Sequence, residues 1–262
     1  MNIRFSKISL LCAGLLAITT LGSHAADHAA KATDQHGSHG AKHWSYSGEG
    51  APANWGNLEP GFSLCRLGKQ QSPVDIQGQG SGKPAPIEFA YTASSAEVVN
   101  NGHTVQINLP SAGGFRLDGT EFKLAQFHFH TPSEEKIRGV AYPMVAHLVH
   151  KSAAGNLAVV AVLFELGDEN QALKELFAKL PANGQTAHLS NAFNVSDLLP
   201  AYKGYYKFMG SLTTPPCTEN VQWQILKQRV EISKEQLEAF RKLYKMNARP
   251  VQPLNQRKVE ES

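Results

Sequence analysis

Short apolar or alternating segments, each ending near glycine, proline or asparagine, make up most of the chain from His43 onward. Residues 103–109, 122–130, 144–150 and 157–166 are rich in valine, leucine and phenylalanine, which are typical of strands. Runs of this length and number predict a large, mainly antiparallel β domain.

Helical periodicity occurs in two later segments, 170–180 and 233–244. The second begins with Ser233 as a potential N-cap and has Gln236 three residues later, which is the spacing of a capping box. Neither segment carries a ligand pattern, so we expect both helices to lie at the periphery. The predicted fold class is mainly β (α+β), with one domain and short peripheral helices.

Residues 1–25 have the pattern of a secretory signal peptide: Arg4 and Lys7, an apolar run, and a small-residue cleavage site. The apolar run is too short to span a bilayer comfortably, so no stable membrane anchor is expected. We therefore predict a periplasmic or secreted protein. Residues 26–42 are small, polar and dotted with histidine, and we expect a disordered leader that could also bind metal ions.

The charge of the chain excludes one class of partner. Its formal net charge is +3, and two of the basic residues, Arg4 and Lys7, lie in the predicted signal peptide. Nucleic-acid binding would require clustered excess base, which is missing from the sequence. The sequence leaves open whether the chain is a monomer or a homodimer.

Two cysteines, Cys65 and Cys217, remain after the predicted cleavage. In an oxidising compartment an even pair far apart in sequence indicates one disulfide, and the alternative is two buried free thiols. A bridge would fix the loop "TTPPC" that ends at Cys217.

The stretch "QFHFH" places His128 and His130 on one face of a strand, since side chains alternate along it. A metal bound there needs a third ligand from a neighbouring strand. The stretch "MVAHLVH" offers His147 and His150, which face opposite ways, so only one of them can join. Taken alone, the pair could equally be two hydrogen-bonded core histidines.

Several motifs in order along the chain resemble the alpha-class carbonic anhydrases. They are "HWSY" (43–46), "QSPVDI" (71–76), "NNGHTV" (100–105), "QFHFH" (126–130), "HLVH" (147–150) and "GSLTTPP" (210–216). "CRLGKQQSPVDI" and "TTPPC" are similar to the bacterial exported branch of that family. The resemblance implies a catalytic domain over 43–254, a C-terminal tail over 255–262, and a large twisted sheet with zinc at the base of a conical cleft.

The resemblance also implies the chemistry of the site. Zn2+ would be held by His128, His130 and His147, and zinc-hydroxide would attack CO2 to give bicarbonate and a proton. Thr213 would orient the hydroxide by donating its own proton to Glu134.

The family pattern assigns roles around this centre as well. His103 matches the proton shuttle, with Tyr46, Asn101 and Gln106 ordering the intervening water. Thr213 and Thr214 match the contacts for anions and sulfonamides, which are expected inhibitors. The apolar wall for CO2 would consist of Val149, Val159, Leu212, Val221 and Trp223.

One departure from the family pattern concerns the partners of the predicted ligands. Gln126 matches the side-chain acceptor for His128, but Val145 stands where family members usually have a glutamate that accepts from the third histidine. Either another group serves His147 or zinc is held less firmly. Glu135 is expected to be a solvated neighbour of Glu134. The alternative function is a catalytically weak, zinc-binding protein of the same fold.

Overall fold

The computed structural model describes residues 43–78, 80 and 82–262. The predicted signal peptide and the histidine-containing leader lie outside the described residues. The strands are β1 (Asp75–Ile76), β2 (Glu88–Tyr91), β3 (Glu97–Asn100), β4 (Val105–Asn108), β5 (Gly113–Leu117), β6 (Thr120–His130), β7 (Lys136–Ile137), β8 (Val140–Ala141), β9 (Met144–Ser152), β10 (Leu157–Leu166), β11 (Thr186–His188), β12 (Tyr205–Ser211), β13 (Glu219–Leu226), β14 (Val230–Ile232) and β15 (Glu260–Glu261). The helices are α1 (Trp55–Leu58), α2 (Leu64–Leu67), α3 (Lys174–Ala178) and α4 (Lys234–Leu243), with single 3-10 turns at Gly48–Gly50, Pro52–Asn54, Pro60–Phe62 and Val195–Leu198.

Within the described part of the chain, twelve strands form one sheet whose main path is β11-β3-β4-β6-β9-β10-β13-β12-β15. Strands β2 and β5 join through β6, and β14 pairs with β10. Within this sheet, pairing is antiparallel except where β10 meets β13 and β14. A second, three-stranded sheet has the order β1-β7-β8, and its β1–β7 pair is parallel. The predicted single, mainly antiparallel β domain with short helices is confirmed.

The centre of the sheet is buried on both faces, which explains the almost continuous apolar runs of β9 and β10. Two apolar clusters fill these faces. Phe127 and Leu148 belong to the larger cluster, whereas Val145 and Val149 belong to the smaller one. Because side chains alternate along β9, His147 shares its face with Val145 and Val149.

Helix α4 and the C-terminal residues both form as defined elements at the periphery of the sheet. Helix α4 has the predicted capping box, since the Ser233 side chain accepts from Gln236 and the Gln236 side chain accepts from Ser233. The expected tail contributes β15, which pairs with β12 through Tyr206 and Glu261. The final residues therefore extend the sheet.

A disulfide joins Cys65 to Cys217, with Cα atoms 5.0 Å apart, as predicted. It packs beside Trp55 in a small cluster of its own and ties α2 to the loop after β12. No helix in the described ranges is both long and apolar enough to cross a membrane.

Candidate metal centre

Two neighbouring antiparallel strands bring three histidines together. His128 on β6 lies directly opposite His147 on β9, and His130 is two residues further along β6. One nitrogen from each ring lies within 4.8 Å of the others. His130 and His147 are buried, and His128 is partly buried.

The fourth histidine of these strands takes no part in this group. His150 lies on the opposite face of β9, where its Nε2 is 2.8 Å from the hydroxyl of Tyr91. Its ring packs edge-on against Phe115, inside the larger apolar cluster. The strand period allowed only one of His147 and His150 to join, and the packing of β9 places His147 in the group, as the family resemblance implied.

Each of the three histidines has its other ring nitrogen fixed by an acceptor. Nδ1 of His128 donates to the side-chain oxygen of Gln126 at 2.8 Å, as the family pattern implies. Nδ1 of His130 donates to the backbone carbonyl of Asn247 at 2.7 Å. Nε2 of His147 lies 3.0 Å and 3.1 Å from the two carboxylate oxygens of Glu135. These contacts leave Nε2 of His128, Nε2 of His130 and Nδ1 of His147 free to bind one common ion.

The expectation that Glu135 is solvated is wrong. Its side chain is fully buried and turned toward His147, while Val145 is packed into the smaller apolar cluster. Glu134 and Glu135 lie in the connection between β6 and β7, where the backbone path and not a two-residue repeat sets the direction of each side chain. Both carboxylates therefore face inward.

Burial and neighbouring charges set the protonation of the centre. Burial, followed by the charge of His147, lowers the pKa of His128 to about 3 and holds the pKa of His130 well below its usual value. Burial acts in the same direction on His147, but the charge and hydrogen bond of Glu135 outweigh it and raise the His147 pKa. Burial is also the main cause that raises the pKa of Glu134 to about 7.

The donor set fits a zinc ion. Among the described residues, Nε2 of His130 is buried without a hydrogen-bond partner, which is costly unless a ligand satisfies it. Neutral imidazole nitrogens are the usual ligands of catalytic zinc, and three of them leave a fourth coordination position open. The three histidines could therefore hold Zn2+.

Thr213 and Glu134 stand beside this group. The Glu134 carboxylate accepts a hydrogen bond from the backbone N–H of Arg249 at 2.7 Å, and its other oxygen lies 3.6 Å from Nε2 of His130. The Thr213 side chain is buried and interacts with Glu134, which lowers the pKa of that carboxyl against the effect of burial. The backbone N–H of Cys217 donates to the Thr214 carbonyl, so the disulfide and the Thr213 loop are held together.

A cavity of about 120 Å3 connects the histidines to the predicted shuttle and water-ordering residues. It is lined by Trp44, Tyr46, Asn101, His103, Thr104, Gln106, Gln126, His128, His130 and Thr214. A cavity of this size has room for a few water molecules, and its polar lining gives them hydrogen-bond partners.

The five residues predicted to form the apolar wall also come together. Val149, Val159, Val221 and Trp223 belong to the smaller apolar cluster, and Leu212 packs against it. The Trp223 ring meets the His147 ring edge-on, with centroids 4.9 Å apart. The wall therefore begins next to the third histidine.

Comparison with known proteins agrees with this geometry. The model of the eukaryotic-type carbonic anhydrase family matches residues 50–262. The chain belongs to the alpha carbonic anhydrase family.

Similar proteins support this assignment along nearly the full domain. A carbonic anhydrase of Neisseria gonorrhoeae is 46% identical over 86% of this chain and 90% of its own length. A carbonic anhydrase of Pectobacterium atrosepticum is 43% identical over 82% and 89% of the two chains. The solved alpha carbonic anhydrase of Thermovibrio ammonificans, bound to the inhibitor sulfanilamide, superposes with a TM-score of 0.81 at 44% identity, over 83% of this chain and 98% of that one. The chain is thus a lyase of the carbonic anhydrase type.

Three residues of this carbonic anhydrase escaped prediction from sequence. Asn247 and Arg249 contact the site through backbone atoms, a carbonyl to His130 and an N–H to Glu134, which no side-chain pattern in the sequence marks. Arg249 also holds the Cys65 carbonyl through its guanidinium, at 3.0 Å. Glu135 did leave a signal, because a second glutamate follows Glu134 in a chain that has valine at position 145.

Proposed function

We propose that this carbonic anhydrase catalyses the reversible hydration of carbon dioxide to bicarbonate and a proton, with Zn2+ held by His128, His130 and His147. The observation that carries the proposal is the convergence of three imidazole nitrogens within 4.8 Å, each ring fixed through its other nitrogen. When bound, zinc would act as a Lewis acid that lowers the pKa of coordinated water. Carbonic anhydrase is the standard example, with a pKa of about 7 for that water.

Thr213 and Glu134 orient the nucleophile in this proposal. A hydroxyl has one proton, so a Thr213 side chain that donates to Glu134 can only accept at its other face. The Arg249 N–H donates to one oxygen of Glu134, which holds the carboxylate in position to accept from Thr213. This arrangement directs a lone pair of the attacking oxygen toward the substrate.

The substrate binds against the apolar wall and excludes water from it. Carbon dioxide has no net dipole, so the wall of Val149, Val159, Leu212, Val221 and Trp223 needs to supply little beyond shape. Thr213 and Thr214 are proposed to contact anions and sulfonamides, by analogy with the Thermovibrio enzyme that binds sulfanilamide.

The proton leaves through His103. Burial, followed by the charge of His43, lowers the pKa of His103 below its usual value, so that the ring is neutral and able to accept a proton near pH 7. Water held by Tyr46, Asn101 and Gln106 in the cavity would link the centre to His103.

We further propose that the chain works after export to the periplasm or cell exterior. The disulfide between Cys65 and Cys217 supports this location, since such bonds persist in oxidising compartments. N-terminal sequencing of the protein recovered from a periplasmic extract should begin at about Ala26. Recovery of the intact chain from the cytoplasm would count against export.

Stopped-flow measurement of CO2 hydration by the purified chain, with zinc quantified in the same sample, tests the catalytic proposal. We expect one zinc per chain, and fast hydration that is lost on chelation and restored by zinc. His128→Ala with His150→Ala as the matched control should separate the centre from the core, because only the first variant removes a proposed ligand. A protein that binds zinc but does not hydrate CO2 would support the weak zinc-binding alternative.

A further inference from the structure

Glu135 is a buried carboxylate whose position requires an explanation. Its side chain is fully buried and, among the described residues, its side-chain contacts with hydrogen-bond or ion-pair geometry are to Nε2 of His147. Oε1 has no further hydrogen-bond partner in that part of the chain. A carboxylate removed from water is costly unless it is paired and hydrogen-bonded, and here the group that can donate to it is one of the three histidines.

The usual acceptor on the strand is missing. Val145 lies two residues before His147 on the same face of β9, and it is fully buried in the smaller apolar cluster. An aliphatic side chain cannot accept the Nε2–H of His147. The acceptor has to come from another element, and the connection after β6 provides it.

The backbone around Glu135 is held on both sides. The Ser133 hydroxyl donates to the Glu135 carbonyl at 2.7 Å, and the Ser133 backbone N–H donates to the Tyr142 carbonyl at 2.8 Å. The next residue, Lys136, pairs with Asp75 between β7 and β1. The carboxylate therefore approaches His147 from a fixed frame.

We propose that Glu135 replaces the glutamate usually found at position 145 as the positioning residue for His147. By accepting from Nε2 it turns Nδ1 toward the metal, and its charge makes that nitrogen a better donor. The inference rests on the proposed function only in that the three histidines hold zinc. It assigns Glu135 to metal retention and not to the reacting atoms.

Zinc release to an excess of chelator tests the proposal without relying on activity. Glu135→Leu removes the acceptor at similar volume, and we expect zinc loss to accelerate roughly 10- to 100-fold, the usual effect of losing such a partner. Glu135→Gln keeps a carbonyl acceptor without the charge and should fall between the parent and Glu135→Leu. If Glu135→Leu fails to fold, Glu135→Gln carries the test.

Rescue by relocation separates positioning from a general structural role. Val145→Glu alone should not slow zinc release, because His147 already has its acceptor and a second buried carboxylate would repel Glu135. In the double variant Glu135→Leu/Val145→Glu, release should return toward the parent rate. A merely structural role for Glu135 would not be restored from position 145.

Glu219→Leu is the matched control. Glu219 accepts hydrogen bonds from the Gln70 backbone and the Gln71 side chain, so its loss should lower the free energy of unfolding without accelerating zinc release. If zinc-loaded Glu135→Leu, or Glu135→Gln where Glu135→Leu does not fold, releases zinc at the parent rate, this inference is overturned while the proposed function stands. If the parent itself takes up no zinc, both fail.

Discussion

The His103 ring lies parallel to that of Trp44, with centroids 3.6 Å apart and planes 9° from parallel. The His43 ring also stacks on the His103 ring, with centroids 4.8 Å apart. Asn101 accepts hydrogen bonds from the backbone N–H groups of His103 and Thr104 and so fixes the turn that carries the ring. Backbone and ring contacts together hold His103 at the wall of the cavity that reaches His128.

We therefore expect His103→Ala to slow CO2 hydration in weak buffer by about 100-fold, the lower end of the usual effect of losing a proton-transfer group. Zinc content should not change, because His103 is not among the three converging histidines. Stopped-flow assays with and without added imidazole measure the effect, and imidazole should restore the rate. A variant as fast as the parent in weak buffer would disprove the shuttle.

Thr213→Ala should lower kcat by about 10²- to 10³-fold, the range found when one orienting hydrogen-bond group is removed. Thr213→Ser is the matched control, since it keeps the hydroxyl that interacts with Glu134. Steady-state hydration with zinc quantified checks both variants. If Ala and Ser lose the same activity, then the hydroxyl is not the functional part of Thr213.

The Cys65–Cys217 bond closes a loop with a sequence separation of 152 residues. In the chain-entropy model, a loop of that length stabilises the folded state by up to about 5 kcal/mol. Urea unfolding of Cys65→Ser/Cys217→Ser should show a free energy of unfolding that is lower than the parent's by up to that amount. Reductant should not lower the stability of this variant further. Equal stability of parent and variant would contradict the prediction.

The free energy of unfolding should decrease as pH falls, because of His150, a histidine outside the metal centre. Burial lowers the pKa of His150 to about 3, so the unfolded chain takes up this proton below about pH 6.5 while the folded chain does not. Above pH 6.5 neither state takes up the proton, so His150 does not reduce the free energy of unfolding there. As pH falls toward 3, that free energy declines by about 1.4 kcal/mol per pH unit.

Tyr91→Phe/His150→Leu tests this pH dependence, because it removes both partners of the buried hydrogen bond. Urea unfolding between pH 6 and pH 4 should show a shallower loss of stability for this variant than for the parent. Identical slopes would show that His150 does not titrate between the folded and unfolded states.

The strands that build the site were predictable because β6 alternates between buried and more exposed side chains and β9 is an almost continuous apolar run rich in strand-forming residues. Alternation also limited the third histidine to His147 or His150, but the choice between them depends on which face of β9 meets the smaller apolar cluster. That is a tertiary property, so spacing alone could not make the choice. Family resemblance did.

The residues that escaped prediction share a physical cause. Asn247 and Arg249 contact His130 and Glu134 through main-chain atoms, while their side chains hold other backbone groups, such as the Thr131 N–H and the Cys65 carbonyl. Strand β15 consists of two glutamates without a β pattern, and it forms because β12 offers an open edge. Glu135 was misjudged because the direction of a side chain in a connection is set by the backbone path and not by a repeat.

The contact between Glu135 and His147 also bears on how the competence of related genes is judged. If each position were judged by itself, Val145 would be scored as the loss of a required acceptor, and such chains would be classed as inactive. The same carboxylate chemistry can be delivered from a different stretch of chain, so the requirement is a contact in space and not a particular residue at a fixed position. Surveys for working enzymes of this type should search for the pair of neighbouring acids before discarding a sequence for its valine.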